Sequence, residues 1–455
     1  MSNDKLVDVL KQLAATVKKT VNGAISNGTI QSEEQVYFHW KVEKFRYTDK
    51  GIADFSAHAE YTTKRSWLRA TIEIEETIKQ HSDYSFALEQ MADVFGKSDR
   101  LSHSLGYFVG ELIHRYLYDS KLEEADINSL VITFLKDLRE EPLKYGAEVE
   151  LQGISLQPEI IEPDFGITLR QTKIEDLERE VPVYGFGLPY LSHPSGILKI
   201  EFLGRRANEI QKKVELAIAI LRLFKVGSIK WLSYRMYTES VTDVMASGTL
   251  TSGQKGAALD TCLVTQEDVP KLRKFWQTIN SSIPTTFFEP AIGKTDHTAI
   301  AYNRYSDALL QDGILERRIA NAIMGLEALF LKPGETQELA YRLSTRVSKL
   351  LSLVAYDPHE IKEILRDAYH VRNLFVHGSQ LTYKKKKKLE SKYKDVKNIL
   401  LSVLEYLRVS IVLMLFNRKE KDEFIDLLDA SLVDRKQEEQ LDWAIAGAKE
   451  VIGQE

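Results

Sequence analysis

Residues 368–378 read Ala-Tyr-His-Val-Arg-Asn-Leu-Phe-Val-His-Gly. The final glycine suits the left-handed residue that follows a helix's last turn. Upstream, Asp357-Pro358-His359-Glu360 supplies the other end. Aspartate is a favoured N-cap, proline suits the first helical position, and Glu360 completes a capping-box-like pattern. A helix is therefore expected over about 358–377. At about 100° per residue, Ile361, Leu365, Ala368 and Phe375 form one apolar stripe, and Arg372 falls in its middle. Asn373 and His377 share a neighbouring face flanked by Arg366 and Tyr369, with His377 about 140° from Arg372. A buried, unpaired charge is costly, so Arg372 needs a partner. Glu327 and Glu316, on the preceding long helix, are candidates; a partner surface or a cleft holding an anion is the other option.

The flanks of this helix are also helical. Apolar periodicity predicts helices near 298–311, 314–331, 336–355, 389–418 and 420–430, with a last one near 434–450. Their short connections suit a bundle. Before the stretch Ser281–Asp296, which carries Pro284 and Pro290, the pattern is mixed. Residues 4–22 read as an amphipathic helix. Gln35–Tyr47 and Ile52–Thr62 alternate like strands around the turn Thr-Asp-Lys-Gly, and the pattern is helical from about Ser82 to Glu140. From about 145 to 205 strands return, followed by a strong helix over 207–225 and a strand beginning Ser-Ile-Lys-Trp-Leu. Ser247–Ala257 reads as a loop. The expected fold class is α+β, with a mixed α/β region over 1–290 and an all-helical bundle over 291–455. A subdivision of the first region near 145 is an open option.

The 455 residues suffice for two or three domains. With 44% hydrophobic and 28% charged residues, the composition is that of an ordinary globular protein. A net charge of -5 confines any nucleic-acid binding to a local patch. One cysteine, Cys262, excludes an intrachain disulfide and a cysteine-based zinc site. The amino terminus lacks a signal-peptide core, and the longest apolar run, Val409–Phe416, is too short to span a bilayer. That run reads as buried core or a dimer face. A cytoplasmic protein that makes no use of a membrane is expected.

Arg372 to His377, Arg-Asn-Leu-Phe-Val-His, resembles the R-x4-6-H motif of the HEPN superfamily. The surrounding segments resemble its ApeA-like branch over roughly residues 300–430. Asn321–Leu331 is similar to that branch's first long helix and Glu338–Leu351 to its second. Leu365–Gly378 is similar to its Tyr-x-x-Arg-polar-x-x-x-His-Gly box, through Tyr369, Arg372, Asn373, His377 and Gly378. The resemblance implies a metal-independent endoribonuclease that needs no cofactor and works as a homodimer through the bundle, with two motif helices facing across a cleft. It implies catalytic roles for Arg372, His377 and Asn373, with Glu327 and Tyr369 supporting. RNA would be the substrate, tRNA among its forms, and the biological role that of a toxin or anti-phage effector. The region before the bundle would sense or regulate, released by a phage or host trigger protein. Two alternatives stand beside this: a non-catalytic HEPN scaffold binding RNA or protein, and the HEPN toxin of a toxin–antitoxin pair.

Lys384, Lys385, Lys386, Lys387 and Lys388 form an unbroken run. In an arbitrary protein such a run is a solvated loop and helix start. Beside an RNA-cleaving motif it is an equal candidate for gripping phosphates, with Tyr383 and Tyr393 available for stacking. Other signals are set aside. Gly293-Lys294-Thr295 lacks the first glycine of a phosphate loop. Ser252–Gly256 reads as a flexible loop, Asp296-His297 as a helix start, His359 and His370 as solvated, and Trp40, Trp67, Trp231 and Trp276 as core.

Overall fold

The computed structural model describes residues 3–48, 51–118, 123–178, 181–182, 194–243, 248–251, 261–289, 296–311, 313–379, 381–417 and 419–452. The architecture is α+β: sheets in the first part, then a long run of helices.

Helix α1 (Asn3–Ser26) carries Leu6, Leu10, Leu13 and Val17 at helical spacing, all fully buried. Strands β1 (Glu33–Thr48) and β2 (Gly51–Ser66) form a long antiparallel hairpin. The turn residues Asp49 and Lys50 lie outside the described residues. Four helices follow: α2 (Leu68–Lys79), α3 (Ser82–Phe95), α4 (Asp99–Tyr118) and α5 (Glu124–Leu138). The helical region thus begins before Ser82. Thr71-Ile72-Glu73-Ile74 imitates strand alternation, but Ala70, Ile74 and Ile78 recur every fourth residue and are buried, so the helical period wins. Helices α1–α5 enclose one core, with Phe108 of α4 stacked on Phe134 of α5 at 4.6 Å.

The next elements are β3 (Leu143–Gln152), β4 (Ile154–Leu156), β5 (Ile160–Asp164), β6 (Ile167–Arg170), α6 (Ile174–Leu177), β7 (Val181–Pro182), β8 (Gly196–Gly204) and α7 (Asn208–Phe224). After them come β9 (Lys230–Thr238), β10 (Gly248–Thr251), β11 (Cys262–Val264) and α8 (Asp268–Ile279). Strand β7 pairs with β1. The main sheet is antiparallel in the order β10-β9-β3-β8-β6-β5, and α7 packs on β3, β8 and β9. Strand β10 falls where a loop was expected: Gly248-Thr-Leu-Thr pairs with Ser233–Met236. The rest of that stretch, with Ser252–Gly256, lies outside the described residues, as do Pro290 and Gly293–Thr295.

The remaining helices are α9 (His297–Leu310), α10 (Leu315–Phe330), α11 (Leu339–Ser352), α12 (Pro358–Val376), α13 (Tyr383–Tyr393), α14 (Val396–Phe416), α15 (Lys421–Ala430), α16 (Arg435–Ala444) and α17 (Ala446–Ile452). The single helix expected over 389–418 is two. Lys394 adopts φ +66°, and Asp395 starts a new helix by accepting the Lys397 N–H. Secondary structure changes character near residue 290, but the apolar core does not: one cluster runs from Leu143 to Val451. Polar links cross the same seam. Arg408 of α14 donates to the carbonyls of Leu223 and Phe224 at the end of α7, and the Tyr305 hydroxyl donates to the Arg222 carbonyl. Among the described residues one helix, α14, is long and apolar enough to cross a membrane, and 72% of its most apolar window is buried inside the protein. The run Val409–Phe416 is therefore core, Val409 and Ile411–Leu413 being fully buried. Of the tryptophans expected in the core, Trp276 is fully buried, while Trp40, Trp67 and Trp231 are half-buried.

Candidate functional site

Helix α12 begins and ends as its sequence predicts. Asp357 accepts the His359 N–H, and Pro358 occupies the first turn. At the other end Gly378 takes φ +71°, its N–H bonds the Phe375 carbonyl, and the Ser379 N–H reaches back to Leu374. This is the paired closure that a left-handed glycine allows. Ile361, Leu365 and Ala368 bury the apolar stripe, whereas Phe375 is only half-buried.

Helix α10 packs against both α12 and α14. Gly325 makes the second approach possible, since a Cβ there would lie 2.7 Å from Leu407 Cδ2. Two residues later Glu327 meets α12. Arg372 Nη2 donates to Glu327 Oε2 at 2.9 Å, and Nη1 donates to Asn373 Oδ1 at 3.1 Å. The guanidinium lies over the Tyr369 ring, 5.4 Å from its centroid. Burial, then the neighbouring Glu327 carboxylate, pushes the Tyr369 hydroxyl up to about 12. Of the two expected partners, Glu327 is the one used; Glu316 sits in the first turn of α10, far along the helix.

The cluster is not fully satisfied. Arg372 Nε and Glu327 Oε1 are buried with no hydrogen-bond partner among the described residues. An unmet buried polar group costs about 1–3 kcal/mol, and native interiors hold few of them. Here a donor and an acceptor remain open within one ion pair.

His377 is the C-cap of α12 and is exposed. Its backbone N–H bonds the Asn373 carbonyl, and its side chain makes no hydrogen bond or ion pair among the described residues. Arg372, Asn373, Tyr369 and Glu327 are thus brought together, while His377 stands apart on another side of the helix end. Its separation from Arg372 follows from their spacing.

The lysine run is wholly helical, which corrects the expectation of a loop leading into a helix. Thr382 caps α13 by accepting the Lys385 N–H, and Lys384, Lys385, Lys386, Lys387 and Lys388 are all exposed on its first two turns. They do not share one role. Lys386 turns toward Glu390 one turn on, at 3.9 Å, a loose surface pair that partly offsets its charge. Lys387 lies over the Tyr383 ring at 4.9 Å, and Lys385 Nζ reaches back to His370 of α12, 3.1 Å from its Nε2. The helix is pinned to α12 by Lys392 and Tyr393, which both reach Asp367, at 2.5 and 2.8 Å. Burial pushes the Asp367 carboxyl up, but Lys392 and Tyr393 outweigh it and hold it below its usual value. This clamp went unread in the sequence; a lone aspartate facing a lysine-rich segment was its only signal. His359 and His370 are exposed, as expected.

Comparisons with protein-family models, with curated proteins and with solved structures found no match.

Proposed function

We propose that the chain is a metal-independent endoribonuclease of the HEPN type. It would cut cellular RNA, tRNA among the candidates, as a toxin or anti-phage effector in the cytoplasm. The observation that supports this reading best is the incompletely bonded ion pair in the last turns of α12, a helix that ends on an exposed histidine and packs against a lysine-rich helix. Cleavage of RNA by its own 2′-OH needs a base for that hydroxyl and an acid for the leaving 5′-oxygen. Histidine serves either role near neutral pH. Two chains facing each other across a cleft supply two copies of His377, one for each proton. The O2′–P bond forms as the P–O5′ bond breaks, leaving a 2′,3′-cyclic phosphate and a 5′-OH. The extra negative charge on phosphorus in the transition state is stabilised by the Arg372 guanidinium, which is 21% exposed and whose plane is held by Glu327 and Asn373. Lys384–Lys388 grip the strand, Lys386 less firmly than its neighbours because of Glu390. The region before the bundle restrains the reaction until a trigger protein arrives.

A second reading has its own support. Arg372 and Glu327 also make an internal ion pair, which would suit a non-catalytic scaffold that binds RNA or protein. Incubating the wild type, Arg372→Ala and His377→Ala with total RNA in EDTA separates the two. Cleavage by the wild type alone, with cyclic-phosphate ends, is expected. Three equally inert proteins would favour the scaffold.

A further inference from the structure

We infer that the outer face of α12 guides single-stranded RNA from a groove between α11 and α12 to His377. The direction of travel rests on the ribonuclease reading; the binding surface rests on its own geometry. Lys362, Arg366, His370 and His377 are all exposed. They fall within an arc of about 80° and span about 22 Å of helix. Lys362, Arg366 and His370 follow one another every fourth residue, at steps of about 6 Å, comparable to the spacing of successive phosphates along one strand.

The carboxylates beside this stripe are already engaged. Lys392 takes both Glu363, at 2.7 Å, and Asp367, at 2.5 Å. Lys362 has no ion-pair partner among the described residues, and the carboxylate paired with Arg366, on Asp367, is 3.8 Å away. An ammonium can only donate, so the Lys385–His370 contact brings a further cation from α13 onto the stripe. Past Lys362 the stripe opens into a groove of about 600 Å³ lined by Tyr341, His359, Lys362, Arg366 and the Glu363 that Lys392 pairs with. Tyr341 is 66% exposed, although a tyrosine could cover its apolar body. A line of free or loosely paired cations with an aromatic plate at one end matches a strand with phosphates on one side and free base faces on the other. A duplex hides those faces.

The test uses the full chain and a labelled, uncleavable single-stranded 2′-O-methyl RNA, with affinity read by fluorescence anisotropy across a salt series. Lys362→Glu with Arg366→Glu should weaken binding at least tenfold and flatten the log–log salt dependence by about 0.7 for each phosphate released. Tyr341→Ala should weaken it at least fivefold with the salt dependence unchanged, because stacking is not ionic. All three side chains are on the surface, so the variants retain the fold. Unchanged affinity in these variants overturns the inference, as does a duplex of the same sequence binding the wild type as tightly. If the variants weaken binding but no RNA is ever cut by the wild type, the guide stands and the ribonuclease reading falls. If RNA is cut and binding ignores these residues, the reverse holds.

Discussion

Arg346 and Arg372 sit in the same helical bundle, and the contrast between them separates a finished structural arginine from an open one. On α11, Arg346 uses its whole guanidinium. Nε donates to Asp429 at 2.8 Å, Nη1 to the Phe330 carbonyl and Glu335 at 2.7 and 2.8 Å, and Nη2 to Glu335 and Asp429 at 2.8 and 2.7 Å. It joins the end of α10, the following loop and α15, with its side chain 3% exposed. Among the described residues Arg372 makes two hydrogen bonds and leaves Nε unmet, and its side chain is 21% exposed. An arginine kept only to hold helices together is expected to resemble the first.

The largest effect should come from breaking the finished network. Arg346→Ala removes five hydrogen bonds, though Glu335 keeps Arg342 and the Lys332 N–H and Asp429 is 41% exposed; removing one partner of a buried pair costs about 3–5 kcal/mol, and this loss should fall near the lower figure. Chemical denaturation should show that loss, and a loss below about 1 kcal/mol would erase the contrast. Arg372→Ala should lower stability by only about 1–2 kcal/mol. Its weight should fall on RNA cleavage, which drops by about a hundred- to a thousandfold, as for His377→Ala. Denaturation and cleavage assays on one preparation measure the two shares; a stability loss equal to that of Arg346→Ala would make Arg372 a structural residue.

Acid sharpens the comparison next. Hydrogen bonding to Arg346, against the opposing effect of burial, holds the Glu335 carboxyl down at about 2. A folded-state value below the ordinary one near 4.5 adds stability that is complete above about pH 4.5 and fades as pH falls toward 2. The contribution is about 3 kcal/mol. Stability measured from pH 6 to pH 3 should fall steeply in the wild type and lose much of this component in Arg346→Ala, the Lys332 N–H and Arg342 keeping the rest; parallel curves would show that Arg346 does not set it. The smallest effect should be that of Tyr369→Phe. The ring beneath Arg372 survives, so stability should shift by less than about 1 kcal/mol and cleavage by only a few-fold, a larger change pointing to the hydroxyl.

Much of this was legible because it is local. Asp357-Pro358 and Gly378 marked the ends of α12, and its period put Arg372 on the buried side and His377 on another. Glu327 was named as a partner, but its rivalry with Glu316 was resolved only by how α10 lies on α12. What stayed hidden was set by tertiary contact or by competing patterns. The break at Lys394 sits inside an unbroken helical periodicity. The alternation around Ile72 imitated a strand. Strand β10 is too short and polar to stand out from a loop. Five identical lysines carry no period of their own, so the run could not show that Lys385 would reach α12 while Lys386 turned to Glu390. The anchoring of Arg408 on α7 joins residues nearly two hundred positions apart, beyond any local period. The salt state of the α12 face was hidden for the same reason, since Lys392 pairs with Glu363 and Asp367 from a separate helix and offsets one of their two charges.

Helix α14 has a consequence for how the chain is made. The most apolar 18-residue window of its 21 residues has a mean hydropathy of 2.1, which by length and composition alone would suit a bilayer. Glu405 and Arg408, paired at 2.5 Å near its middle, stand against that outcome. A central arginine costs about 2.5–3.5 kcal/mol on insertion. The helices that bury α14 leave the ribosome before it does, apart from α15–α17. The arginine that ties α14 to α7 in the finished protein thus also raises the cost of placing the same helix in a bilayer.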